Sequence, residues 1–152
     1  MKSQKLILDQ VDRKILQLKK IEDLTIPSSG WIYAIRQALG MSLRQLGNKM
    51  GITPQSVKEI EEREKNGTLS LNGLKQFGKS LDLKLVYGFI PNHESLEMII
   101  ENRAKEIARE IVNRTSISMK LEDQENNPKR IRKAISDKTK EITLEMPKYL
   151  WD

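Results

Sequence analysis

The 152-residue chain predicts a mainly α-helical protein, with a bundle of short helices and one short strand in the middle, an amphipathic helix before it and a long helix with a tail after it. Three observations carry this prediction. Apolar residues recur at three- and four-residue steps over most of the chain. Between residues 30 and 70, Gly, Ser, Thr and Pro fall where short helices need caps and stops. One segment alone, within LDLKLVYGFIP, alternates as a strand does.

The elements follow in order. Over residues 4–20, Leu6, Leu8, Val11, Ile15 and Leu18 form an apolar stripe separated by Lys and Asp, an amphipathic helix that ends before Pro27. The run Pro27-Ser28-Ser29-Gly30 reads as a turn or linker. In the next helix Trp31, Ile35, Ala38 and Leu39 share one face, and Gly40 ends it as a left-handed cap. Ser42 caps a second short helix whose buried stripe is Leu43, Leu46 and Met50, with Gly47 leaving room for close approach and Gly51 closing it. Thr53 caps the third, Pro54 takes its first position, and Val57 and Ile60 turn inward. A fourth helix from about Ser70 buries Leu71, Leu74, Phe77 and Leu81, and Leu83, Leu85, Tyr87 and Phe89 then alternate as a short strand ending at Pro91. A long helix is expected from Glu94 to Glu122, with an apolar face that includes Ile100, Ala104, Ile107 and Ile111. The polar stretch that follows reads as a linker or short exposed helix broken near its start by Pro128. The apolar tail Tyr149-Leu150-Trp151 is expected to dock on this chain or on a partner. Three regions result: an N-terminal helical arm over 1–29, the central bundle over 30–90, and a C-terminal helical region over 91–152.

Charge separates these regions. The formal net charge is +6, from 27 Lys/Arg against 21 Asp/Glu, with a pI near 9.5. Residues 30–90 carry nine basic against five acidic side chains, whereas 91–152 carry twelve of each. A polyanion is therefore the expected partner of the front part, and something else that of the back. With no Cys, neither a disulfide framework nor a thiolate metal site can form, and the single His93 cannot build a His-rich one. No metal or cofactor is implied. An enzyme is not expected either, because the available carboxylates are helix-surface Glu residues in charged company and no glycine-rich phosphate cradle is present. The absence of an apolar run of about 20 residues and the acids within MKSQKLILDQVDRK lead to the expectation of a cytoplasmic protein that does not enter membranes.

Two helices joined by a tight Gly-containing turn, inside a five-element bundle, are how a protein carries a helix into the DNA major groove. On that reading the third bundle helix presents Thr53, Gln55, Ser56, Lys58 and Glu59 to double-stranded DNA. Gln can hydrogen-bond a base edge at two points, Ser and Thr reach a base or a phosphate, and Lys neutralises phosphate. Ser42, Arg44, Gln45 and Lys49 would lie against the backbone. From Gly30 to about Phe89 the pattern resembles the Xre/Cro family of helix-turn-helix repressors. That resemblance implies a structural salt bridge between Arg36 and Glu61, while EEREKNGTLS is longer and more acidic than the family's usual loop, which leaves Arg63 and Lys65 without an assigned role.

GWIYAIRQALGMSLRQLG, LVYGFIP, SMKLEDQ and the terminal LWD are similar to the mobile mystery protein A family, found beside genes for Fic-domain proteins. The resemblance implies a Fic-domain toxin as partner, an enzyme fold that commonly transfers AMP from ATP to a hydroxyl. It further implies an inhibitory helix of the form Ser/Thr-x-x-x-Glu, supplied here by Ser118 and Glu122, which lie on one helix face at i and i+4. Glu122 would pair with the Arg that otherwise grips the ATP γ-phosphate; Asp123 stands where that motif has Gly or Asn. The expectation is an antitoxin that represses its own operon and restrains a Fic AMP-transferase. The alternative is a phage-type repressor whose C-terminal region only dimerises. A reader of half-sites is in either case expected to pair with a second copy.

Overall fold

A computed structural model describes residues 2–121 and 127–152, with side chains described up to Ile117 and from Asn127 onward. It contains α1 (Lys2–Leu18), a 3-10 turn (Lys19–Ile21), α2 (Trp31–Ala38), α3 (Leu43–Met50), α4 (Pro54–Asn66), α5 (Leu71–Ser80), α6 (Leu96–Leu121), α7 (Pro128–Glu145) and a final 3-10 turn (Lys148–Trp151). These fall into two compact units, residues 23–88 and residues up to 22 with 89–152.

In the unit over 23–88, Ile32, Leu46, Val57 and Phe77, one from each of α2 to α5, form the buried core. The local sequence explains the tight connection between α3 and α4. Gly51 takes φ 72°, Thr53 caps α4, and Pro54 occupies its first position, where a missing N–H leaves nothing unsatisfied. Gly47 is buried because the turn folds over it: a Cβ there would stand 2.6 Å from the backbone oxygen of Ile52. The close neighbour that needs this glycine is thus the turn's own backbone.

The inward face of α2 is Ile32, Ile35 and Arg36, and Trp31, Ala38 and Leu39 are exposed. This corrects the stripe expected from Trp31 and Leu39. The expected strand over Leu83–Phe89 is absent as well, and among the described residues no β-strand forms. A strand exists only against a partner, and among the described residues no second segment pairs with this one. Its first residue instead folds back, the Leu83 N–H donating to the Gly78 carbonyl at 2.8 Å.

The other unit is built from α1, α6, α7 and the final turn around Ile100, Ala104, Ile107, Ala108, Ile142 and Leu150. Its N-terminal helix α1 buries no residue fully but packs Leu8 against this core. Asp12 ties it to α6: its carboxylate accepts from the Leu96 N–H at 2.8 Å and the Glu97 N–H at 3.3 Å, satisfying free donors at a helix start. The region after Pro128, expected to be a linker or short exposed helix, is an 18-residue helix. Pro128 starts α7 rather than breaking it, because Asn127 is its N-cap and accepts from the Lys129 N–H at 2.9 Å. Ile135, Thr139 and Ile142 then turn toward the core. The tail docks on its own chain. Leu150 is buried, and Arg103 donates to the carbonyls of Leu150 at 2.7 Å and Asp152 at 2.6 Å.

Candidate nucleic-acid interface

Two helix ends build the candidate interface. At the start of α3 the Ser42 hydroxyl accepts from the Gln45 N–H at 3.1 Å, while the Gln45 side-chain oxygen accepts from the Ser42 N–H at 2.8 Å. This reciprocal box fixes where the helix begins. It also occupies the Gln45 oxygen, leaving the side-chain NH2 as the group free to meet an acceptor such as phosphate. At the start of α4 the Thr53 hydroxyl accepts from the Ser56 N–H at 3.1 Å and donates to the Ser56 hydroxyl at 2.9 Å. Since Ser56 accepts there, its own hydroxyl hydrogen remains available.

Beyond the caps, Gln55, Lys58 and Glu59 are exposed on α4, and Arg44 and Lys49 on α3. None of the three cations has an ion-pair partner among the described residues. Neither helix carries an acid in its first turn. The positive dipole ends are therefore not cancelled locally and add to the attraction these cations exert on an anion.

The opposite side of α4 holds it in place. Glu61 is buried, and its carboxylate accepts from Arg36 Nε and, at 3.2 Å, from Nη2. Arg36 Nη1 donates to the Met41 carbonyl at 3.0 Å, and the guanidinium lies 5.4 Å from the centre of the Tyr33 ring. Hydrogen bonding to Glu61 raises the Arg36 pKa above its ordinary value, against a lowering by burial, and the charge of Glu61 adds to the rise. One turn further on, the Glu64 carboxylate accepts from the N–H groups of Trp31 and Ile32 at 2.9 and 2.8 Å. A carboxylate on α4 thereby caps α2, and Gly30, at φ 87°, makes room for it, since a Cβ there would lie 2.7 Å from Glu64 Oε1. Sequence reading gave Glu64 no role. The signal was present in its position three residues after Glu61, on the same side of the helix.

Ser118 lies on α6, but its side chain falls outside the described residues, as does all of Glu122. The expected inhibitory pair therefore has no described geometry.

Residues 32–69 match a family model described as Helix-turn-helix, which covers α2 to α4 and the loop after them. They form a helix-turn-helix domain of Xre/Cro type, and such a domain points to a DNA-binding transcription regulator. Comparison with curated proteins gave no match, nor did comparison with solved structures. Among the described residues, no helix is long and apolar enough to cross a membrane.

Proposed function

We propose that this protein is an antitoxin and autoregulator: the unit over 23–88 reads operator DNA with the first turn of α4, and the α6 region restrains a Fic-domain AMP-transferase. The observation that carries the DNA half is the division of α4 into two sides. Val57, Glu61 and Glu64 face the other helices, and Gln55, Lys58 and Glu59 face outward with their side-chain hydrogen-bonding groups unused among the described residues. Gln55 offers bidentate pairing to adenine, Glu59 an acceptor for the cytosine amino group, and Lys58, Arg44 and Lys49 neutralise phosphate on either side. Thr53 and Ser42 fix the two helix ends, and Ser56 keeps one donor. Such a reader works in the cytoplasm and on two half-sites, hence with a second copy.

The Fic half rests on the resemblance carried by SMKLEDQ and its companion segments, with Ser118 and Glu122 as the inhibitory pair. The region's balanced charge is compatible with a protein partner rather than a polyanion.

The test has two arms. In a mobility-shift assay on the region upstream of the gene, Gln55→Ala should lose about 1–3 kcal/mol of discrimination at its base position, whereas Arg44→Ala should weaken binding to all duplexes and flatten the salt dependence. No shift by the parent chain at low salt refutes the DNA reading. Separately, AMP transfer by the co-purified Fic protein should rise with Glu122→Gly; unchanged transfer removes the inhibitory role.

A further inference from the structure

Along one flank of α4, beside the turn that carries Gln55, runs a cleft of about 690 Å³ closed on its far side by α5. Ser56, Glu59 and Arg63 line it from α4, Lys49 from α3, and Gln76 and Lys79 from α5. Residues 56, 59 and 63 stand at i, i+3 and i+7, so the cleft follows a single side of the helix and shares Ser56 and Glu59 with the outward face. Lys49, Arg63 and Lys79 are exposed, and none has an ion-pair partner among the described residues.

Among the described residues, none of the acids around Arg63 forms an ion pair with it, and Glu62, which is exposed, does not line the cleft. Glu61 is engaged with Arg36, and Glu64 is engaged with the first N–H groups of α2. Of the carboxylates on α4, Glu59 alone reaches the cleft, leaving three positive charges against one.

We propose that this cleft grips the sugar-phosphate backbone of duplex DNA, with Arg63 and Lys79 as phosphate-binding residues that join Lys49. The proposal rests on the DNA-reading role of α4. A helix seated in the major groove has a phosphate strand running along each side, and contacts to phosphate fix register without reading sequence. The cleft supplies such contacts on the α5 side of the helix, away from Arg44 on α3. Arg suits this place because its planar donors can hold two phosphate oxygens at once. The cleft extends beyond the reach of one side chain, which fits a run of backbone better than a lone anion.

The experiment measures affinity of the full chain for its operator and for an unrelated duplex over a salt series, comparing Arg63→Ala/Lys79→Ala with Lys75→Ala/Lys84→Ala. The second pair removes the same charge from exposed residues outside the cleft. The cleft variant should lose on the order of ten- to a hundredfold in affinity at 0.1 M salt, equally on both duplexes, with the log–log salt slope shallower by about two. The outside pair should change the slope much less, and Arg63→Lys should retain it. An unchanged slope in the cleft variant, or an equal loss in both pairs, overturns the cleft while leaving the DNA reading intact. Failure of the parent chain to bind either duplex removes that reading and the cleft with it.

Discussion

Glu61 and Glu64 occupy adjacent turns of α4 and do different work on α2. Glu64 satisfies its first two free N–H groups, and Glu61 holds Arg36 near its end. Between them they set both position and rotation of α2, which explains why Ile32 rather than Trp31 enters the core. That rotation was legible. If Arg36 is inward to meet Glu61, then Ile32, four residues earlier, is inward too, and the apolar stripe chosen by hydrophobicity alone was misled by the bulk of Trp31 and Leu39. Because Glu61 is buried, Arg36→Ala should cost about 3–5 kcal/mol by urea denaturation, since it strands a carboxylate without its partner. Arg36→Met/Glu61→Leu should cost less than that single change, as no buried charge remains; a larger cost would mean that the pair's geometry, not its charge balance, is what the fold requires. A guanidinium whose pKa is raised contributes its stabilisation fully below its ordinary pKa and loses it only as pH climbs through the raised value. Stability followed to about pH 10 should show no step from Arg36.

At the scale of elements, what decides each helix is how its ends are closed. The rule that starts α4, a capping Thr followed by Pro, starts α7 as Asn127-Pro128. The same pair of residues reads as a break if Pro is considered without its neighbour, and that is why the pattern suggests a linker or a short exposed helix where an 18-residue helix forms. Asn127→Ala should destabilise the protein by about 1 kcal/mol in chemical denaturation. Asp12→Ala should cost about 1–2 kcal/mol, since it removes a charged cap from α6 together with the tie to α1. Should Asp12→Ala prove neutral, α1 is held by Leu8 and its neighbours alone. The alternation of Leu83 to Phe89 fails for the opposite reason. Its local pattern suits a strand, but ladder hydrogen bonds need a second segment, and pattern carries no information about whether one exists.

At the scale of the molecule, the described residues form two separate cores, one around Ile32, Leu46, Val57 and Phe77 and one around Ile100, Ala108, Ile142 and Leu150. Each buries large side chains completely, so each should respond to its own cavity. Val57→Ala and Ile142→Ala should each remove about 1–4 kcal/mol, and in calorimetry each should lower the transition of its own unit and leave the other in place. A single transition displaced equally by both would show that the units unfold as one. The second core was only half legible, because α6 announces itself by periodicity while α7 and the tail contribute through residues whose burial depends on what they meet. Thr139 is buried with its hydroxyl donating to the Ile135 carbonyl at 2.7 Å, an arrangement no polarity scale favours.

Sequence by itself determined the helical class, the helix-turn-helix with its caps at Ser42 and Thr53 and the outward set on α4, because each of these follows from neighbours within a few positions, and it determined the concentration of positive charge in the first ninety residues, because that is a property of composition alone. Only the tertiary structure decided that Glu64 caps a helix more than thirty residues away, that Leu83 to Phe89 has no strand partner among the described residues, that α1 packs with α6 and α7, and that Glu61 and Glu64, on either side of Arg63, are engaged with α2. Those outcomes depend on which surfaces meet, and local spacing does not specify contacts made across the fold.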